Sequence, residues 1–428
     1  MRHLLQFLSL SDPNVRFVVI GMVLLGASAG AVGCYSLLRK RALLGDAIAH
    51  AVLPGICIAF MLSGVKDTAV LLLGAMASGA AAIVAIDTIT RKTRIKSDTA
   101  TGLVLSIFFG VGILLMTVIQ QSGNAAQSGL DKFLFGKAAA MTTTDVQLLA
   151  IVFALLFALI ALFNRAFFIV SFDGQFARAI GMNTRLIENL LAFMTIIAVS
   201  VGIQAVGVVL MAALLITPAL AARFLSNRVW AMLIWAAIIG AMAGLGGAYI
   251  SYLAPAMPTG PWVVVVLAHI TAFCWVVAPQ NGLLARAWRQ YVNRRLILEE
   301  NVLKIFYQLG EEKGDFTTPR HINTLQQRRY IPQLKKGLRY LYAKKQLTKE
   351  KEGWALTEKG KINAQRVVRV HRLWEVYLSR FHHLAPDHVH ENADALEHII
   401  SPELEEQLEY MLNYPEADPH NAPIPYHK

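Results

Sequence analysis

What the 428-residue chain lacks narrows its chemistry. No GxxxxGK stretch followed by Ser or Thr occurs, so the chain has no phosphate-cradling loop of that type. Cysteine is scarce: Cys34, Cys57 and Cys274 all fall inside apolar runs, which indicates neither a disulfide framework nor a CxxC zinc site. Residues 1–16 have no apolar core of the kind a cleavable signal peptide carries. Charged residues make up only 16% of the chain, and residues 1–288 hold nine Asp or Glu against 18 Lys or Arg.

Apolar length fills the space that charge leaves. Windows at 17–38, 43–63, 68–89, 99–119, 146–163, 189–204, 205–222, 229–250 and 261–278 are long enough, and poor enough in charge, to cross a bilayer. The stretch 189–222 is ambiguous: it fits two short helices turned near 202–207, or one long helix with a re-entrant piece, giving eight or nine spans. Small residues such as Gly26-Ala-Ser-Ala-Gly30 allow close helix packing and indicate a bundle, nothing more.

Basic loops at Arg39-Lys-Arg41, 91–96, Arg165/Arg178/Arg185 and Arg223/Arg228 fall on one side if nine spans exist. The positive-inside rule then puts the N-terminus outside and the C-terminal region in the cytoplasm.

Within the second span, Leu44-Gly-Asp46-Ala-Ile-Ala-His50 places a carboxylate and an imidazole on one helical face. Such groups are costly in lipid, so they are expected to face a polar path or to bond one another structurally. Together they are a partial ligand set for manganese, iron or zinc. Cys57 shares the arc, with Pro54 between; His269, in the last span, reads as a packing residue.

Beyond residue 288 the composition changes: 41 of the 68 charged side chains and nine of the twelve histidines lie there. Residues 289–372 hold 20 basic and 8 acidic side chains, and 373–428 hold 2 and 11. A basic half suits phosphate backbones; an acidic, His-rich half suits cations. The pattern predicts helices at 298–309, from Thr318 with Pro319 at its first turn, and over 328–346. A β-hairpin follows around Gly353, and the whole forms a winged helix. The third helix would carry Arg328, Arg329, Lys335, Lys336 and Arg339 to DNA. Further on, His371 and Glu375 stand four apart, and His390, Asp394, Glu397 and His398 follow at helical spacings suited to one or two divalent-metal sites.

Two resemblances follow. Leu38-Arg-Lys-Arg-Ala-Leu-Leu-Gly-Asp-Ala-Ile-Ala-His-Ala-Val-Leu-Pro-Gly resembles the hallmark of metal ABC transporter permeases. So, in order, do Ser171-Phe-Asp-Gly-Gln-Phe-Ala-Arg-Ala-Ile-Gly181, the stretch from Val206 through Thr217-Pro218 to Arg223, and Pro258-Thr-Gly-Pro. The resemblance implies an importer of manganese, iron or zinc whose substrate path includes Asp46 and His50. It also implies a coupling segment, with Asp173, Phe176, Ala177 and Gly181, that docks an ABC ATPase subunit. Further partners are an extracytoplasmic metal-binding protein and a second permease copy or paralogue. ATP acts only through the partner subunit, and the chain itself is no enzyme.

The region 296–425 is similar to the diphtheria-toxin-repressor family of metal-dependent regulators. That likeness implies that His371, Glu375 and His390 form an ancillary metal site, and that Asp394, Glu397 and His398 belong to the primary site and the dimerising helices. Asn301 and Lys304 stand where the resemblance leads one to expect ligands on the first helix; a protonated lysine has no lone pair to offer a cation.

The expected architecture is mostly α: a polytopic membrane bundle (1–285), a linker (286–298), a winged helix (299–365) and metal-binding, dimerising helices (366–428). The expected function is a permease with a fused metal-responsive regulator. The alternative is a membrane-anchored, metal-dependent regulator whose spans no longer transport.

Overall fold

Gly26 and Gly240 meet backbone to backbone: a Cβ on either would lie 2.2 Å or less from the other's carbonyl oxygen. Gly55 and Gly74 meet in the same way, at 2.1 and 2.4 Å. In lipid no hydrophobic force draws helices together, so the gain comes from such close packing of small residues. The computed structural model describes residues 6–7, 9–65, 67–121, 136, 138–253, 257–382 and 402–426. Two compact units result, Met1–Arg286 and Ala287–Lys428.

The first unit contains α1 (Pro13–Leu38), α2 (Leu43–Ser63), α3 (Thr68–Lys92), α4 (Ser97–Gln121), α5 (Thr143–Phe172), the short α6 (Gly174–Ala179), α7 (Thr184–Val206), α8 (Val208–Leu225), α9 (Val229–Leu253) and α10 (Thr259–Val277). Gly26 lies on α1 and Gly240 on α9; Gly55 and Gly74 join α2 to α3. Eight of these helices are long and apolar enough to cross a membrane. With 18 residues, α8 is about 27 Å long, close to the hydrocarbon thickness.

Contacts at the ends resolve the ambiguous stretch. At one end Arg39 pairs with Glu188 at 3.6 Å, Arg41 with Asp87 at 3.5 Å, and Asn281 donates to the Arg223 carbonyl at 3.4 Å. At the other, Asn14 donates to the Ala139 carbonyl at 3.5 Å, and a Cβ on Gly136 would lie 2.5 Å from the Ala205 carbonyl. Among the described residues the chain therefore runs between the same two ends nine times. The break between α7 and α8 is Gly207, whose φ of 84° is open to glycine at little cost. Two helices with a turn, not one long helix with a re-entrant piece, occupy this stretch.

The second unit is built on the C-terminal half of α11 (Leu283–Lys313), with α12 (Ile322–Arg328), α13 (Leu334–Ala343), β1 (Leu347–Glu350), β2 (Gly353–Leu356) and α14 (Glu358–His382). The strands pair antiparallel with Leu347 opposite Leu356, and Arg320 exchanges two backbone hydrogen bonds with Trp354. Val302, Phe306, Leu325, Leu338, Leu341 and Leu347 belong to its core. The helix–turn–helix and wing expected from the pattern are present.

Boundaries differ from expectation in three places. Residues 286–298 lie inside α11 and are helical throughout. Pro319 is not a first-turn residue, because Arg320 is held in the sheet and His321 caps α12 from its ring nitrogen. No helix spans 328–346: Pro332 has no N–H and restricts the residue before it, and Gln333 takes a left-handed φ of 61°, so α13 begins only at Leu334. A small second core joins Leu373 and Val376 of α14 to Leu408 and Leu412 of α15 (Pro402–Leu412) and to Ile424.

Candidate functional site

Asp46 sits in the first turn of α2, where the free backbone N–H groups favour a carboxylate, and His50 follows one turn later. The His50 Nε2 lies 3.4 Å from Asp46 Oδ1. Its ring stands edge-on to Phe109 of α4, with centroids 4.8 Å apart and planes at 78°. The other nitrogen, Nδ1, is buried without a hydrogen-bond partner. The two side chains are in contact, and one imidazole nitrogen has no hydrogen-bond partner among the described residues. The side chains are 17% (His50) and 33% (Asp46) exposed, on the side of α2 that faces α4. Two ligands do not make a cation site, and among the described residues no group of three or more His, Cys, Asp or Glu comes together.

Cys57 is turned to the Gly112 carbonyl of α4, with Sγ at 3.8 Å. His269 is exposed on α10, with Nδ1 2.8 Å from the Val265 carbonyl; its hydrogen bond is satisfied, but it is not packed inside the bundle.

The segment after α5 forms an elbow. Asp173 caps α6, its Oδ1 accepting from the backbone N–H groups of Gln175 and Phe176 at 2.9 Å each. Ala177 is fully buried, and Gly181 ends the elbow with a φ of 83°. Phe172, Phe176 and Ile180 are all exposed. A rigid elbow presenting three large apolar side chains is suited to a protein partner.

In the second unit His371 and Glu375 are buried on α14, with Nε2 3.1 Å from Oε1. His390, Asp394, Glu397 and His398 lie outside the described residues. Lys304 is buried on α11, and Glu299 is engaged by Arg295 at 2.9 Å and by Lys344. Neither residue therefore stands as a free ligand from the first helix. Lys335, Lys336 and Arg339 project from α13 into solvent, with Leu334, Leu338 and Leu341 buried behind them. Arg328 and Arg329 are not on that helix: Arg328 closes α12 and pairs with Glu312, and Arg329 is the α12 cap.

Several partners escaped sequence reading. Tyr35 donates to Asn164 at 3.0 Å inside the bundle, Ser200 is buried with an unpartnered hydroxyl, and Arg372 grips Glu311 in the second unit. A polar residue within an apolar window was the available signal for the first two; nothing local marks the third.

Comparison with known proteins agrees with this division. Residues 11–278 match the ABC 3 transport family, and residues 357–426 match the iron dependent repressor, metal binding and dimerisation domain. The manganese transport system membrane protein MntC of Bacillus subtilis is 39% identical over 374 residues, covering 87% of this chain and 86% of its own. The zinc transport system membrane protein TroC of Treponema pallidum is 41% identical, covering 65% of this chain and 94% of its own. Among solved structures, PsaBC from Streptococcus pneumoniae in complex with Fab is similar at a TM-score of 0.58 and 32% identity, over 65% of this chain and 97% of that one. The helical bundle, its family match and its relatives lead to one conclusion: the chain belongs to the ABC 3 transport family and carries a region of the iron dependent repressor type at its C-terminus.

Proposed function

We propose that the chain is the permease subunit of an ATP-driven importer of a divalent transition metal, and that Asp46 and His50 line the path. The observation that carries this is the buried, unpartnered Nδ1 of His50 beside the Asp46 carboxylate. Imidazole and carboxylate suit manganese, zinc and iron alike, and the named relatives transport manganese or zinc.

Partial exposure of a carboxylate at membrane depth is costly against lipid, which supports a second permease copy or paralogue, and water, completing the site. The elbow around Asp173, Phe176, Ala177 and Gly181 docks the ATPase. The basic end of the bundle, which carries that elbow, faces the cytoplasm by the positive-inside rule, and an extracytoplasmic metal-binding protein delivers cargo to the opposite end. The C-terminal unit is a metal-responsive DNA-binding module: His371 and Glu375 respond to metal, and Lys335, Lys336 and Arg339 contact DNA. Imported metal then loads the module, which represses the importer's own genes.

The experiment is metal accumulation by cells expressing the wild-type chain or Asp46→Asn, together with the metal content of the purified complex. Loss of accumulation at unchanged membrane abundance supports the importer. Unaltered accumulation overturns the path assignment and revives the anchored-regulator alternative.

A further inference from the structure

From Leu298 onward α11 contributes to a domain core, but its first turns do not. Leu284, Trp288, Tyr291 and Val292 share one face of the helix at 100° per residue, and all four are exposed. Trp288 and Tyr291 lie beside each other, ring centroids 6.2 Å apart, and the Tyr291 hydroxyl is 3.4 Å from that of Tyr340 on α13. Around the same turns stand four arginines and no acidic residue between 283 and 296. Arg295 is committed to Glu299 and to the Tyr340 ring, 4.2 Å away. Of the rest, Arg294 borders the apolar face at about 100° from its centre, and Arg286 points opposite.

The start of this helix is fixed close to the end of the bundle. α10 ends at Val277; Gln280 and Asn281 bond Asn227 at 3.3 and 3.1 Å, and Asn281 also reaches the Arg223 carbonyl. Leu283 therefore begins within a few residues of the last span and beside the loop between α8 and α9. An exposed apolar face bearing Trp and Tyr, bordered by arginine and beginning shortly after the last span in sequence, has the composition of a helix lying in the headgroup region. The aliphatic stem of Arg294 can follow the apolar face while its guanidinium group meets lipid phosphate.

We infer that residues 283–294 form an interfacial helix that seats Leu284, Trp288 and Val292 in an anionic bilayer surface. This rests on the chain being a membrane protein and not on the assignment of Asp46 and His50, so the two fail separately. The apolar face supplies insertion, and Arg294 supplies preference for acidic headgroups. The contact gives the chain a membrane-bound segment beyond its spans, on the helix that continues into the winged-helix core.

The test uses the full chain in nanodiscs, with nitroxide labels at Leu284→Cys, Trp288→Cys, Arg286→Cys and Asn293→Cys. The three native cysteines are buried, so labelling is directed to the new positions. Collision with oxygen, which partitions into lipid, is compared with collision with a water-soluble nickel chelate. The expected result is a several-fold higher oxygen-to-nickel ratio at 284 and 288 than at 286 and 293, with shallower insertion when phosphatidylglycerol is replaced by phosphatidylcholine. Equal nickel access at 288 and 293 overturns the inference, because that face is then in water. Exclusion of both reagents at 288 also overturns it, because protein then covers the face. Insertion that ignores phosphatidylglycerol overturns the part assigned to Arg294.

Discussion

Arg372 and Glu311 are joined by two parallel bonds, Nη1 to Oε1 at 3.0 Å and Nη2 to Oε2 at 2.6 Å, tying α14 to α11. Arg372 also donates to the Pro423 carbonyl and lies 3.6 Å from Asp418, so one guanidinium holds a helix pair and the C-terminal segment together. Its side chain is 7% exposed, and the planar fork fits the carboxylate as an ammonium cannot.

Removing the fork leaves Glu311 and Asp418 without their common partner. Arg372→Ala is expected to cost the second unit about 2–4 kcal/mol, and Arg372→Lys to recover only part of it. Hydrogen exchange of amides in α14 and α15, followed in the full-length protein, measures the loss. Because Arg372 adjoins His371, the same variant is expected to weaken any metal response without touching a ligand.

Close packing in the membrane half makes a different prediction. The Gly26 and Gly240 backbones leave no room for a methyl group, and the obstruction is a carbonyl, not a flexible side chain. Gly26→Ala or Gly240→Ala is expected to cost about 1–3 kcal/mol and to lower the yield of folded protein in membranes. Gly102→Ala, on α4 where a Cβ meets open space, is expected to leave yield unchanged. Quantitative blotting of membrane fractions separates the two.

Acid behaviour is predicted at Asp315. Hydroxyl hydrogen bonds from Thr318 and Thr317, and the Thr317 backbone N–H at 2.8 Å, hold its carboxyl well below the usual carboxylate range. A depressed folded-state pKa means that the contribution is present above the unfolded-state value and is lost as pH falls through the folded one. Asp315→Asn should therefore flatten the most acidic part of the stability profile near the wing and leave its neutral part with a constant offset. Exchange protection of Arg320 and Trp354 amides against pH reads this directly.

Much of this was legible in the sequence. Long apolar windows located the spans because a bilayer demands length, and alternation around Gly353 located the wing. The Asp46/His50 face was legible because polar groups stand out in an apolar helix. The start of α13 was not, because Pro332 permits a helix beginning just before it, and only the left-handed Gln333 excludes that. Residues 286–298 read as a linker because their arginines mask the apolar face of a continuous helix. The Arg372–Glu311 pair was invisible, since its partners are 61 residues apart.

Three residues of one arc on α2, Asp46, His50 and Cys57, should not all behave alike. Asp46→Asn and His50→Gln keep the helix and most of the volume but remove a ligand, so metal uptake is expected to fall about tenfold or more at equal expression. Cys57 is occupied with the Gly112 carbonyl, and Cys57→Ala is expected to transport at close to the wild-type rate. Initial rates of radiolabelled manganese or zinc uptake distinguish these outcomes; a Cys57→Ala defect as deep as that of His50→Gln would extend the path toward α4.

The basic surface of the second unit makes a prediction that depends on the corrected helix boundary. Lys335, Lys336 and Arg339 leave α13 on its solvent side, while Arg328 ends α12 with its guanidinium on Glu312. For a surface that neutralises DNA phosphates, Lys336→Ala and Arg339→Ala are each expected to weaken binding across sequences and to reduce the salt slope by about one unit. Arg328→Ala is expected to change the slope by less, because its charge is already paired within the protein. Binding of the full-length protein in nanodiscs to duplex DNA, titrated over a range of salt, measures all three. If Arg328→Ala gave the largest loss, the contact surface would centre on the end of α12 and not on α13, and the major-groove role assigned to α13 would be wrong.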